Sequence, residues 1–436
     1  MKFMSMHMSR REWLQSAGAL ALLGGQGVRD ALAAKGSERI DGHVDVKAFR
    51  EAILDEVNHW RASAELPTGF MQTNMDRQWR PLGRQLVTLT MQSRHIFMRA
   101  RAFDLTRDPA YLKSMRLIAD FALAHFRDPE HGGWYFSVAP DGSVIDDSKD
   151  SYSFAFAMFG FSHAARVTGD PRYLDAALQA LADIRHKMGN PAGFYWLTKS
   201  RDFSQSKATL SQNPMLHLFE SLLALYEATG SKEYLQQAQV HIESVFGRLF
   251  DRKQGVIPGY YSPDWKPLPH DSSGYVDVGD QIEWACWWSR GVEFGFPALD
   301  LARYGKPLLE TGLRVGYDHT EGGIFPGMDA AGATVRDRKK LWQQCELMRT
   351  LMNWAVRQGR SDLWPLFEQT LRMFKQHFAD AEFGGYFRPY RDTKSPPQDT
   401  DLYKNADDTY HVCGMYSEGL RLAGELSQYG YLGKLT

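Results

Sequence analysis

Two carboxylates at the start of an aromatic-rich segment are well suited to acid–base chemistry. Asp280 and Glu283 lie three positions apart within residues 274–288, GYVDVGDQIEWACWW. On a helix this spacing places both side chains on one face. Glycines and small polar residues precede them, which indicates that a long loop turns into a helix at this point. The segment is therefore the first candidate site, and the rest of the chain must position it.

The elements that position it are indicated by a repeat. A short Gly-aromatic or Gly-apolar motif occurs six times, and its first glycines are separated by 63, 61, 62, 67 and 62 residues. Helical apolar spacing before and after each motif predicts two helices per repeat. Six such pairs, apolar in the first and last repeats, favour closure into an all-α (α/α)6 barrel over an open solenoid. The long loops, and with them the active site, would then lie at one end.

The repeat also predicts which polar residues are equivalent. Arg94 lies 12 residues before Thr106, and His217 lies 12 residues before Thr229. Three successive steps of about one repeat length from His217 lead to Glu283, then to Glu346 and then to His411. All should lie near the start of the second helix of their pairs, around one mouth. Because buried polar groups are costly without partners, their accumulation there indicates a site.

Each of these residues also has a structural interpretation. Arg94 could form an ion pair with Glu283 or Glu346, and Glu346 could be buried against Arg94 or a ligand. His217 could be a hydrogen-bonded core histidine, whose ring Glu220 at i+3 would orient unless it faces solvent. His411 opens the last helix, and a histidine at a helix N-terminus tends to stay neutral, which suits a proton shuttle.

Composition and motifs exclude several other classes of function. The net charge is −1 with acids and bases interspersed, so nucleic acid is not an expected partner. No histidine pair has the close spacing of a metal site, and we expect no metal. A phosphate loop, a dinucleotide fingerprint and the Gly-x-Ser-x-Gly motif of serine hydrolases are all absent.

The first 33 residues resemble a bacterial twin-arginine export signal. Arg10 and Arg11 precede a short apolar run at 17–25 and an Ala-x-Ala site at 31–33. The run is too short to span a bilayer. We therefore expect residues 34–436 to form a single periplasmic catalytic domain without a membrane anchor. Three widely spaced cysteines are interpreted as small buried residues or free thiols: Cys286, Cys345 and Cys413.

The ordered motifs resemble those of the N-acylglucosamine 2-epimerase family, which includes mannose isomerases and cellobiose 2-epimerases. The motifs are Gln92-Ser93-Arg94, Asn213-Pro214 through His217 and Glu220, Gly279 through Trp284, Trp342 through Glu346, and Tyr410-His411-Val412. The resemblance implies an (α/α)6 barrel. It also implies isomerisation of a free mono- or disaccharide through a cis-enediol, with no cofactor.

The resemblance assigns roles to individual residues. His411 matches one of two histidines that move the C2 proton, and Arg94 matches an arginine that binds the sugar and stabilises oxyanion charge. The remaining matched residues are implied to line the sugar pocket: His217, Glu220, Glu283, Trp342 and Glu346.

The chain departs from the family pattern at Asp280. The family motif Gly-His-x-x-Glu reads Gly279-Asp280-Gln281-Ile282-Glu283 here, so Asp280 replaces the second histidine. A normal aspartate is a weaker base than histidine by about two to three pKa units, unless desolvation and a nearby acid raise its pKa. The sequence thus predicts a sugar 2-epimerase or aldose–ketose isomerase with His411 and Asp280 as the catalytic pair.

Two alternatives remain. A glycoside hydrolase or lyase could use Asp280 with Glu283 or Glu346 on the same barrel. A non-catalytic sugar-binding protein that has lost its second histidine would bind sugars without turnover.

Overall fold

A computed structural model describes residues 39–40, 42–83, 85–268, 276–329, 331–336, 338–387, 389–390 and 403–426. The proposed export signal at residues 1–33 lies outside the described residues. Within them, no helix combines the length and apolar character that a membrane span requires. Cys286, Cys345 and Cys413 are buried free thiols.

The described chain is mostly helical, with twelve helices of eleven residues or more. They are α1 (Val46–Ala64), α2 (Leu89–Thr106), α3 (Pro109–His125), α4 (Ser151–Thr168), α5 (Pro171–Lys187), α6 (Asn213–Thr229), α7 (Lys232–Leu249), α8 (Val278–Glu293), α9 (Lys306–Gly316), α10 (Leu341–Arg357), α11 (Trp364–His377) and α12 (Ala406–Leu422). A short helix at Ala298–Asp300 and a π-helical turn at Leu301–Gly305 precede α9, and a 3₁₀ turn at Ser361–Leu363 precedes α11. Short connections follow even-numbered helices, and long loops precede them.

Local signals explain where several helices begin and end. Asp108 and Asp170 accept a hydrogen bond from the backbone N–H two residues on, and each precedes a proline at the first helical position. The preceding helices α2 and α4 end at Arg107 and Gly169, which adopt the left-handed conformation. These caps, readable in the sequence as Asp-Pro pairs, explain why α3 and α5 begin where they do.

The even-numbered helices form an inner ring. Each is buried on nearly all sides, whereas the odd-numbered helices bury one face against them. Contacts run from α2 to α4, α6, α8, α10 and α12 in turn, and α12 contacts α2 again. Because every inner helix follows a long loop, all six begin at the same end of the molecule.

The described residues contain sixteen short strands in antiparallel pairings, and fourteen of them lie in the long loops. Neighbouring loops are paired through β4 (Val87–Thr88), β5 (Ser137–Val138) and β6 (Val144–Asp146); β7 (Lys149–Asp150) and β8 (Thr198–Lys199); β9 (Leu210–Ser211) and β10 (Tyr260–Tyr261); β11 (Val276–Asp277), β12 (Gly327–Met328) and β13 (Thr334–Val335); and β14 (Lys339–Lys340) and β15 (Pro389–Tyr390). The last loop pairs with the first through β16 (Lys404–Asn405) and β3 (Asn74–Met75). The remaining pair, β1 (Arg39–Ile40) and β2 (Val44–Asp45), precedes α1.

A buried lysine fixes the Gly motif in three repeats. The Nζ atom of Lys149 lies 2.8 Å from Asp128 Oδ2 and donates to the carbonyl of Gly132, whose φ of +72° suits glycine. The same ion pair recurs in two other repeats, Lys339 with Asp318 and Lys404 with Asp380. The lysine stands just before the inner helix, so the pair ties each Gly motif to the start of that helix.

A glutamine in the first turn of three inner helices makes a second connection. The side-chain amide of Gln281 donates to the carbonyl of Ile257 at 3.0 Å and accepts from its N–H at 2.8 Å. Gln344 binds Ile324 in the same way, and Gln92 binds the Gly69 carbonyl. Each glutamine lies two residues before a polar residue of the predicted site.

Candidate active site

A solvent-connected cavity lies at the long-loop end of the inner helices. All six inner helices contribute to its wall. The lining residues are Arg94, Tyr152, Asn213, His217, Asp280, Glu283, Trp342, Asp407, Asp408 and His411. Six of the eight residues predicted from sequence line this cavity directly, and the other two, Glu220 and Glu346, are hydrogen-bonded to its histidines.

The predicted equivalence of the polar residues is visible in the helices. Arg94, Glu283, Glu346 and His411 are each the sixth residue of their helix, which places them one turn below the mouth. The expectation that His411 opens its helix is therefore wrong. Since a helix dipole acts mainly on its first turn, the N-terminus of α12 has little effect on His411.

Arg94 is held by residues from two neighbouring helices. Its Nη1 atom donates to the backbone carbonyl and the Oδ1 atom of Asp407 at 2.6 and 2.7 Å, and Nη2 donates to the Tyr152 hydroxyl at 2.8 Å. The guanidinium carbon lies 4.4 Å from the ring centroid of Phe156. The expected ion pair with Glu283 or Glu346 is not formed, because α2 adjoins α12 and α4 rather than α8 and α10.

His217 forms a buried pair with Glu220 on the same helix. The two side chains lie 2.9 Å apart through Nδ1 and Oε2, and the other Glu220 oxygen accepts a short hydrogen bond from the Tyr410 hydroxyl. Glu220 thus orients the ring and does not face solvent. Burial lowers the pKa of His217; Glu220 opposes this shift, while the positive charges of Arg94 and His411 add to it.

His411 forms a similar pair, but with a carboxylate from the neighbouring helix. Its Nδ1 atom lies 2.8 Å from Glu346 Oε1, and Arg349 donates to Glu346 Oε2 at 3.2 Å. Burial opposes ionisation of Glu346, but Arg349 and the His411 hydrogen bond outweigh it and lower its pKa. Glu346 is therefore buried against Arg349 and not against Arg94. The ring of Trp342 lies 5.6 Å from that of His411.

Asp280 and Glu283 share one face of α8 but have different surroundings. Gln212 Nε2 donates to Asp280 Oδ2 at 2.8 Å, and the Gln212 carbonyl oxygen accepts from Trp284 at 2.6 Å. The Oε1 atom of Glu283 has no hydrogen-bond partner among the described residues. Burial raises the pKa of Glu283 well above its usual value, and Glu346 adds to the shift. Glu283 is thus disposed to remain protonated and to donate a hydrogen bond.

Sequence reasoning missed four lining residues: Tyr152, Asn213, Asp407 and Asp408. Tyr152 and Asp407 are the second residues of α4 and α12, the position that Trp342 holds in α10. The repeat could therefore have identified both. Arg349 was also missed, although it lies three residues after Glu346 just as Glu220 lies three after His217. Among the described residues, no group of three or more potential ligands is arranged to hold a metal ion.

This arrangement of residues falls inside a match to the family model described as N-acylglucosamine 2-epimerase, which spans residues 69–415. The chain belongs to the N-acylglucosamine 2-epimerase family. Among relatives in this epimerase family, a D-mannose isomerase of Marinomonas mediterranea is 23% identical over 407 residues, covering 86% of this chain and 98% of that protein.

A mannose-6-phosphate isomerase of Rhizobium meliloti is 27% identical over 232 residues, covering 52% of this chain. The match spans 58% of that protein, less than two thirds of its length.

Solved structures share the fold of this epimerase-family chain. A cellobiose 2-epimerase from Spirochaeta thermophila has a TM-score of 0.76 at 20% identity, covering 87% of this chain and 98% of its own. An α-mannanase of Bacteroides thetaiotaomicron has a TM-score of 0.60 at 12% identity, covering 88% and 97%. At these identities the likeness shows the fold alone.

Proposed function

We propose that the chain is a sugar 2-epimerase or aldose–ketose isomerase that moves the C2 proton of a free mono- or disaccharide through a cis-enediol. The observation that carries this proposal is the presence of two buried histidines in one cavity, each tied through Nδ1 to a carboxylate. We further propose that the inner helices close into an (α/α)6 barrel with its active site at the long-loop end. Residues 1–33 would direct export, leaving residues 34–436 as a single periplasmic domain.

His411 is the first acid/base group in this mechanism. With Nδ1 engaged by Glu346, Nε2 is the nitrogen left to accept the proton from C2. A carboxylate on the other ring nitrogen fixes the tautomer and stabilises the imidazolium that forms. Trp342 beside His411 offers an apolar face to the sugar.

Two groups in the cavity can stabilise the enediolate oxygen. Arg94 is held rigidly by Asp407 and Tyr152, so its guanidinium needs little reorganisation when charge develops. Glu283, whose pKa is raised, supplies a neutral carboxyl donor. Arg94 and Glu283 thereby stabilise the developing charge without a cofactor.

A second acid/base group is required if the proton returns to the opposite face of C2. Asp280 takes the sequence position of the family's second histidine, and it lines the cavity with one oxygen bound by Gln212. His217 is the other candidate. An isomerase can use one group on one face, because the proton then moves only from C2 to C1.

The proposal can be tested with residues 34–436 and a panel of aldoses, including D-mannose and cellobiose, in deuterated water. We expect deuterium at C2 of at least one sugar, and a rate about 10²–10⁴-fold lower in His411→Asn, the usual range for general acid–base groups. His131→Asn is the control, since this partly exposed histidine lies outside the cavity. Absence of C2 exchange across the whole panel would overturn the proposal.

A glycoside hydrolase is the second candidate, favoured by one observation. Glu283 is disposed to be protonated and stands one helical turn from Asp280, as a general acid beside a carboxylate would. This function predicts new reducing ends from oligosaccharides, no C2 exchange, and loss of activity in Glu283→Gln. A non-catalytic sugar-binding protein predicts saturable sugar binding with neither reaction.

A further inference from the structure

We infer that His217, and not Asp280, is the second acid/base residue, and that it acts on the face of the sugar opposite His411. This inference rests on the proposed function. It narrows that function to 2-epimerisation, because two bases on opposite faces invert the configuration at C2.

The first observation is that His217 and His411 have matching surroundings. Each imidazole is buried, lines the cavity and is bound through Nδ1 to a glutamate, at 2.9 and 2.8 Å. In both cases Nε2 is the nitrogen left for a substrate. His217 therefore has the tautomer control that its carboxylate partner gives an acid/base histidine.

The second observation is the position of the helices in the inner ring. Following the contacts from α12, the order is α2, α4, α6 in one direction and α10, α8, α6 in the other. His217 on α6 thus stands three helices from His411 whichever way the ring is followed. Asp280 on α8 is only two helices away, with α10 between. A sugar between the walls of α6 and α12 would present opposite faces to the two histidines.

The third observation is that the two walls approach each other closely. The Tyr410 hydroxyl, from the residue before His411, donates a short hydrogen bond to Glu220, the partner of His217. The charge of His411 also lowers the pKa of His217. The two histidines are therefore close enough to interact electrostatically across the cavity.

The reaction step is balanced with these groups. His217 Nε2 accepts the C2 proton, the C–H electron pair forms the C1=C2 bond, and the carbonyl oxygen becomes the enediolate oxygen beside Arg94. Protonated His411 then donates its proton to C2 from the other face, and the C1=O bond reforms. The sugar leaves with C2 inverted, His217 protonated and His411 neutral. Proton exchange with solvent, or turnover of the opposite epimer, restores the first state.

Asp280 is left with a binding role. One of its oxygens is fixed by Gln212, which is itself held by Trp284, so the carboxylate is a rigid acceptor on the cavity wall. Sugar hydroxyls are donors that such an acceptor binds directionally. Its loss should therefore weaken sugar binding more than it slows proton transfer.

The test measures three rates separately by NMR in deuterated water: C2 exchange with retained configuration, epimer formation and ketose formation. Wild type should form the epimer. His217→Asn should form it at least ~10²-fold more slowly, while exchange through His411 with retained configuration continues within about tenfold. Asp280→Asn should raise KM with kcat for epimer formation within about tenfold of wild type.

Glu220→Gln removes the charge that opposes the lowering of the His217 pKa, and its amide can accept only one of the two hydrogen bonds that Glu220 accepts. As the pH falls, epimer formation by this variant should persist to a lower pH than in wild type, because a base with a lower pKa stays neutral to a lower pH. General loosening of the fold would not produce this shift. Binding of sugar to each variant, measured by titration, checks that the cavity is intact.

Several outcomes would overturn the inference. One is loss of epimer formation in Asp280→Asn with normal binding, and another is an unaffected His217→Asn. Equal loss of exchange and epimer formation in His217→Asn would also contradict it, as would a wild type that forms only the ketose. A wild type without any C2 exchange would instead reject the proposed function itself.

Discussion

Two buried glutamates at opposite ends of the inner helices have opposite ionisation behaviour. Glu283 near the long loops and Glu418 near the end of α12 are 2% and 5% exposed. Burial opposes ionisation of Glu418, but Arg421 and Arg290 outweigh it and lower its pKa. Burial raises the pKa of Glu283, and Glu346 raises it further. The signs of the neighbouring charges, and not the burial, separate the two.

The two ends are built for different purposes. Glu418 accepts three hydrogen bonds, two from Arg421 and one from Asn353 at 2.8 Å, and Arg421 also bonds to Glu293. These residues join the ends of α8, α10 and α12. At the long-loop end, the Oε1 atom of Glu283 has no hydrogen-bond partner within the described part of the chain. A carboxyl left in this state costs stability but is available to a ligand.

The largest expected effect is on stability and comes from Glu418→Gln. This variant removes the carboxylate that pairs with Arg290 and one of the two that pair with Arg421, which we expect to cost about 3–5 kcal/mol of unfolding free energy. Urea unfolding at pH 7 measures this, and kcat of the folded variant should stay within about twofold. Glu310→Gln is the control, because its ion pair with Lys306 is exposed and should contribute less than ~1 kcal/mol. A loss below ~1 kcal/mol in Glu418→Gln would remove the contrast between the two ends.

The matching change at the other end, Glu283→Gln, should have a much smaller effect on stability. Glutamine resembles the protonated carboxyl that burial favours at this position, so we expect a change within about 1 kcal/mol at pH 7, of either sign. C2 exchange should fall no more than about tenfold, since the amide still donates a hydrogen bond. Loss of all C2 exchange would contradict the role of Glu283 as a hydrogen-bond donor, because the amide of Gln could still donate. A large loss of stability would mean that Glu283 is ionised and paired in solution.

The positions of the site residues could be predicted because they follow from periodicity. Arg94, Glu283, Glu346 and His411 occupy one phase of a repeat that the Gly motifs mark in the sequence. Helix starts at Asp108 and Asp170 were equally local signals. Such features depend on residues close in the chain, so the sequence contains them directly.

The partners of these residues could not be predicted in the same way. Arg94 pairs with Asp407 because α2 adjoins α12, and this order of helices is a property of the ring and not of either segment. Glu283 and Glu418 look alike in sequence, since both lie in apolar, helical stretches. In the folded chain, Arg421 and Arg290 lie beside Glu418, whereas neither of them lies beside Glu283.

The smallest effect, and the one most specific to the comparison, is on pH dependence. Glu418 has a folded-state pKa below its unfolded value of about 4.5, so its stabilising contribution is present above that pH and is lost as the pH falls. Glu283 has a folded-state pKa above the same value, so its contribution is present below about pH 4.5 and is lost as the pH rises. Unfolding free energies of wild type and both glutamine variants between about pH 2 and 8 should therefore diverge, the Glu418 effect below about pH 4.5 and the Glu283 effect above it. The advantage of wild type over Glu418→Gln should grow with pH, whereas its advantage over Glu283→Gln should shrink, by about 1.4 kcal/mol for each unit of pKa difference traversed. Parallel curves for the two variants would show that the two carboxyls ionise alike, and the proposed neutral donor in the cavity would have to be abandoned.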